Sequence, residues 1–82
     1  MRMIIETATP GNGKKYECIL DDKMTVGVAK EKIIDQITAL ENENIMFDEN
    51  VLLFSPVTRT ALPDHRNLRK AGIKSGQLVY LL

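Results

Sequence analysis

One stretch of this chain repeats its apolar residues at helical spacing. Val26, Ala29, Ile33, Ile37 and Leu40 recur at steps of three and four, while Lys30, Glu31, Lys32, Asp35 and Gln36 fall mostly off that stripe. A lone helix with one apolar face cannot bury that face on itself, so the flanking sequence has to supply a sheet. It does. Met1, Met3 and Ile5 alternate with Arg2 and Glu6, and Tyr16, Cys18 and Leu20 alternate with Glu17 and Ile19, which is the two-residue period of strands with one covered side. Pro10-Gly11-Asn12-Gly13 between them restricts φ and then tolerates positive φ, which predicts a hairpin turn. Thr25 is placed to cap the helix, which the spacing carries to about Leu40. At about 1.5 Å per residue the helix spans roughly 22 Å, enough to cover strands of five or six residues.

The second half is less regular. Glu41 to Asn50 is polar and acidic apart from Ile45-Met46-Phe47, expected to tuck inward as a plug. Val51-Leu52-Leu53-Phe54 reads as a strand with apolar residues on both faces, ended by Pro56. A short strand around Thr60 to Leu62 stops at Pro63-Asp64, and Leu68, Ala71 and Ile73 fit one helical turn closed by Gly72. After a turn at Ser75-Gly76, Gln77 to Leu82 forms a last strand, with Leu78, Tyr80 and Leu82 opposite Val79 and Leu81. Hairpin, helix and further strands make an α+β order, and a right-handed crossover seats the helix across one sheet face. A β-grasp roll satisfies this, with a mixed sheet of four to five strands and one main helix.

Eighty-two residues make a single domain, 1–82, with no room for a second. Eleven basic residues balance eleven acidic ones and there is no tryptophan, so neither nucleic-acid binding nor a polybasic membrane anchor is expected. The apolar runs are too short for membrane insertion, where roughly 20 residues are needed. One cysteine and an early charge in Met1-Arg2-Met3-Ile4-Ile5-Glu6 suit a reducing cytoplasm.

Residues that could carry chemistry have simpler readings. Gly11-Asn12-Gly13-Lys14-Lys15 lacks the earlier glycine, the following Ser or Thr and the helix of a phosphate loop, so it reads as a hairpin turn. His65 is the only histidine and has no nearby cysteine to complete a metal site. Cys18 shares the covered strand face with Tyr16 and Leu20, which favours a buried, inert thiol. Asp21-Asp22 and Asp48-Glu49 suit turns and caps. No catalytic residue, cofactor or metal ligand is expected, and the domain reads as no enzyme.

At this level of detail the chain resembles the ubiquitin-like family over nearly its whole length. Met3-Ile4-Ile5-Glu6-Thr7 looks like that family's first strand, and Leu20 to Thr25 with Val26, Ala29 and Ile33 looks like its approach to the helix and its helix core. The stretch Leu62-Pro63-Asp64-His65-Arg66-Asn67-Leu68, then Ile73 and Leu78-Val79-Tyr80-Leu81, is similar to its closing pattern. Conjugated members need a flexible tail ending in two glycines, and sulfur carriers a terminal glycine. Here Leu82 stands directly at the predicted last strand, so covalent transfer through a tail is not expected. Size and the ending Gly76-Gln77-Leu78-Val79-Tyr80-Leu81-Leu82 resemble the tail-less YukD/EsaB group, small cytosolic proteins of type VII secretion systems in Gram-positive bacteria. That resemblance implies a non-catalytic accessory docking on cytosolic domains of the secretion machinery's membrane proteins. The alternatives are a ubiquitin-like adaptor domain, or a modifier or carrier, cut from a longer chain.

Two surfaces are candidates for the docking. The strands hold more apolar residues than one face can bury, and alignment to the ubiquitin-like pattern places Leu53, Val79 and Leu81 on the open sheet face as a protein-binding patch, which could also pair two copies as a weak homodimer. Charge is also segregated. Asp35, Glu41, Glu43, Asp48 and Glu49 follow one another without a base, after which Arg59, Arg66, Arg69, Lys70 and Lys74 offer a charged docking face.

Overall fold

A computed structural model describes residues 1–10, 13–41 and 51–82. Strand β1 (Arg2–Thr9) turns back into β2 (Lys14–Asp21), helix α1 (Val26–Glu41) follows, and β3 (Leu53–Ser55), β4 (Thr60–Ala61) and β5 (Leu78–Leu81) complete a five-stranded sheet in the order β2-β1-β5-β3-β4. The β1–β5 pair is parallel and the other pairs are antiparallel. This is the mixed α+β arrangement expected from the sequence. The predicted plug Ile45-Met46-Phe47 lies outside the described residues.

The first hairpin forms for the reasons read from its residues. Gly13 takes φ 69°, and its amide donates to the Thr9 carbonyl at 3.0 Å, closing the turn. Met3, Ile5, Tyr16, Cys18 and Leu20 all face the core, and Val26, Ala29, Ile33 and Ile37 of the helix are buried against them. Each buried Val, Ile, Leu or Met side chain among them contributes about 1.5 to 3 kcal/mol on leaving water. Met1, placed with that face, is exposed instead. The next stripe position, Leu40, is 66% exposed. There the helix is held by polar contacts: the Tyr16 hydroxyl donates to Glu41 Oε1 at 2.6 Å, and Lys14 Nζ reaches both Glu41 oxygens at 3.1 Å.

The helix N-terminus is capped twice over. Thr25 Oγ1 accepts the Val28 amide at 3.3 Å, as its position predicts, while the Val26 and Gly27 amides donate to the Arg66 and Asp64 carbonyls at 2.8 and 3.0 Å. Gly27 sits where the two segments meet, since a Cβ there would lie 3.4 Å from the Asp64 carbonyl oxygen. Lys30, read as an off-stripe cation, is folded in along the same seam. Its ammonium lies 2.7 Å from Asp64 Oδ1 and 3.0 Å from the Val51 carbonyl oxygen. The 67–73 turn closes with Gly72 at φ 83°, Ala71 N–H on Asn67 O and Ile73 N–H on Leu68 O, and it buries Leu68, Ala71 and Ile73.

The Tyr16–Glu41–Lys14 tie makes stability depend on pH. The Glu41 carboxyl is held below its ordinary value, first by the Tyr16 hydrogen bond and then by Lys14. A carboxylate whose pKa is lowered by folding adds stability above its unfolded pKa and loses it as pH falls through the folded one. Tyr16→Phe is therefore expected to lower the urea midpoint at pH 7. The gap between variant and wild type should narrow below about pH 4, as carboxylates protonate.

Candidate protein-binding surface

Which strand residues face outward is decided by one register. In the parallel β1–β5 pair, Glu6 lies beside Leu78, Thr7 beside Val79 and Ala8 beside Tyr80. Thr7 follows Met3 and Ile5 onto the covered face and is fully buried, so Val79 must face the core with it. Leu81 then also points inward, and Leu53, its cross-strand partner, joins it. Leu53, Val79 and Leu81 are 0%, 0% and 3% exposed. They belong to the core cluster and form no open-face patch. The expected placement was off by one residue, and a one-residue slip moves a whole strand's side chains to the other face.

The opposite set emerges. Leu52 and Leu82, joined by a reciprocal pair of backbone hydrogen bonds at 3.0 and 2.8 Å, are 48% and 57% exposed. Phe54 and Tyr80 lie opposite one another, half-buried, with ring centroids 6.4 Å apart and planes tilted by 47°. That spacing suits tilted aromatic packing. Leu78 is half-exposed on the same face. Toward β2 the face turns polar: Glu6 lies across from Glu17 and Ala8 from Lys15, and Lys15 Nζ is 3.7 Å from Glu6 Oε1. The open face thus has an apolar half on β3 and β5, bordered on β1 and β2 by the charged stretch Glu6, Glu17 and Lys15. The exposed pair Ile4 and Ile19 stands apart, where Ser75 holds both the Ile4 amide and its carbonyl.

The apolar excess of the Val51–Phe54 strand predicts that one of its two sets emerges, and the set that does is Leu52 and Phe54, not Leu53. Tyr80 was the available signal, because a phenol with one wet end suits a half-buried position better than a closed core.

The five cations proposed as one charged face are divided. Arg66 and Lys70 line a groove of about 430 Å³ with Lys23 and His65. Arg69 and Lys74 line a different one with Arg2 and Asp22. Arg59 sits between β3 and β4 at φ 59°, a left-handed backbone its side chain tolerates poorly. Cys18 is fully buried, and burial pushes its thiol pKa up against a smaller opposing effect of the Thr7 hydroxyl. A thiol so placed is a poor nucleophile. Among the described residues no group of three or more His, Cys, Asp or Glu side chains could hold a metal ion, and no helix is long and apolar enough to cross a membrane.

No protein-family model matches the chain, and no curated protein matches it. Solved structures do. The ubiquitin-like domain of an Arabidopsis thaliana protein superposes with a TM-score of 0.69 at 21% identity, covering 99% of this chain and 76% of that one. Caldiarchaeum subterraneum ubiquitin gives the same TM-score and identity, covering 99% of this chain and 91% of its own. The chain therefore has the ubiquitin-like β-grasp fold.

The two faces of β3 should separate cleanly in stability measurements. Leu53→Ser leaves a cavity and buries a hydroxyl, so it is expected to cost about 3 kcal/mol or more. Leu52→Ser, one residue away, should stay within about 1 kcal/mol of wild type by chemical denaturation.

Proposed function

We propose that this ubiquitin-like domain is a non-catalytic interaction module that binds a protein partner reversibly through Leu52, Phe54, Tyr80 and Leu82. The observation that carries this reading is the split open face. Apolar side chains gather on β3 and β5, beside the charged stretch Glu6, Glu17 and Lys15 of β1 and β2. An apolar centre with a polar margin is what a partner surface of matching shape buries. The aromatic pair gives such a contact rigid area at little entropic cost. The groove lined by Lys23, Arg66 and Lys70 speeds encounter with an acidic partner, and Arg59, Arg69 and Lys74 add to the field.

The finer reading makes the protein a cytoplasmic accessory of a type VII secretion system, docking on cytosolic domains of the machinery's membrane proteins without covalent conjugation. It is supported by the likeness of the closing segment Gly76 to Leu82 to the YukD/EsaB group. Affinity capture from the native cell tests both levels. Wild type should recover membrane-bound secretion components, and Leu52→Ser with Leu82→Ser, both at exposed positions, should lose them while keeping its thermal stability. Capture of an activating enzyme, or of covalent adducts, would overturn the reading. An intact mass of the native protein showing residues beyond Leu82 would favour an adaptor, modifier or carrier cut from a longer chain.

A further inference from the structure

The sheet ends on one side at β2, and part of that edge is closed by a side chain. Gln36, on the flank of α1, accepts the Ile19 amide on Oε1 at 2.9 Å and donates Nε2–H to the Ile19 carbonyl at 2.9 Å. Both contacts hold only for this orientation of the amide, since Ile19 offers one donor and one acceptor. A single side-chain amide thus occupies both main-chain groups of an edge residue, as a neighbouring strand would.

Edge residues alternate in the direction of their main-chain groups. The Ile4 and Glu6 groups point to the β5 side, where the Ile4 carbonyl accepts from Gly76 and the Glu6 amide donates to Gln77. Their β2 partners, Ile19 and Glu17, therefore point outward, and Lys15 shares their parity. Among the described residues the outward amides of Lys15 and Glu17 meet no main-chain acceptor, and Gln36 closes one end of this edge.

We propose that the Gln36 amide is a built-in block that keeps the β2 edge from pairing with the β2 edge of a second copy. Charge selects the register of the suppressed dimer. With the two-fold axis at Glu17, two carboxylates would face each other. With the axis at Cys18, Lys15 of each copy faces Asp21 of the other, and Glu17 and Ile19 exchange main-chain hydrogen bonds twice over. Like charges directly opposite are unfavourable and opposite charges favourable. An axis at Tyr16 would also set Lys15 opposite Glu17, but it carries Ile19 past the start of β2 to Gly13 and pairs only two edge residues of each strand. The axis at Cys18, which pairs Lys15, Glu17, Ile19 and Asp21, is therefore favoured. It needs the Ile19 main chain that Gln36 occupies. An unprotected edge of this kind is a template for association, which proteins commonly cover or charge.

The test is the oligomeric state of the full chain. Gln36→Ala and the near-isosteric Gln36→Met both suit a helix and remove the block; either serves if the other folds poorly. Sedimentation equilibrium should show wild type as a monomer, and the variants associating toward twice the monomer mass with a Kd on the order of 0.1 to 1 mM, as a short strand pairing gives. Amide exchange at Ile19 should speed up in dilute variant and slow again as the protein is concentrated. Adding Lys15→Glu, which turns the Lys15–Asp21 contact repulsive, should restore the monomer. Variants that stay monomeric over this range, or dimers indifferent to Lys15→Glu, would overturn the proposal.

Discussion

The parallel pairing of β1 with β5 decides nearly everything else in this molecule. It joins the hairpin, whose inward face is set by Met3, Ile5, Tyr16 and Cys18, to a closing strand that carries apolar side chains on both faces and no inward direction of its own. Setting Thr7 beside Val79 sends Val79 and Leu81 into the core, and the antiparallel pairing to β3 then draws Leu53 after them. The outward set follows by alternation. The apolar half of the open face is thus a by-product of core register, and a slip of one residue would exchange the core for the surface.

The helix is fixed by different physics along its length. Buried aliphatic side chains hold its centre, whereas carbonyls of the 64–66 segment take its first amides and Glu41 anchors its end to β2 through Tyr16 and Lys14. Hydrophobic burial is large but carries little direction. The hydrogen bonds fix where along the sheet the helix stops and how it is turned. That rotation brings Gln36 to the β2 edge, so the same geometry that seats the core also closes an edge.

The two exposed parts of the sheet are handled differently. The face over β3 and β5 leaves Leu52, Phe54, Tyr80 and Leu82 available to a partner, while the β2 edge is charged by Lys15 and Glu17 and plugged at Ile19. A face makes contact through side chains and can be selective. An edge makes contact through main chain, which any extended segment can match, so closing it protects a binding module from indiscriminate pairing.

The residues by themselves determined the hairpin, the amphipathic helix with its Thr25 cap, the turn closed by Gly72 and the α+β class, because each rests on a short-range period or a local backbone preference. They determined that apolar strand residues exceeded what one face could bury. They did not determine which set was inward: in Leu52-Leu53-Phe54 and Leu78-Val79-Tyr80-Leu81-Leu82 both parities are apolar, and only long-range pairing separates them, Val79 set by Thr7 of the first strand and Leu53 in turn by Leu81 of the last. The same holds for the division of the basic residues between two grooves, the seating of Lys30 against Asp64 and the reach of Gln36 to Ile19. Each depends on where two distant segments meet, and no local pattern encodes that distance.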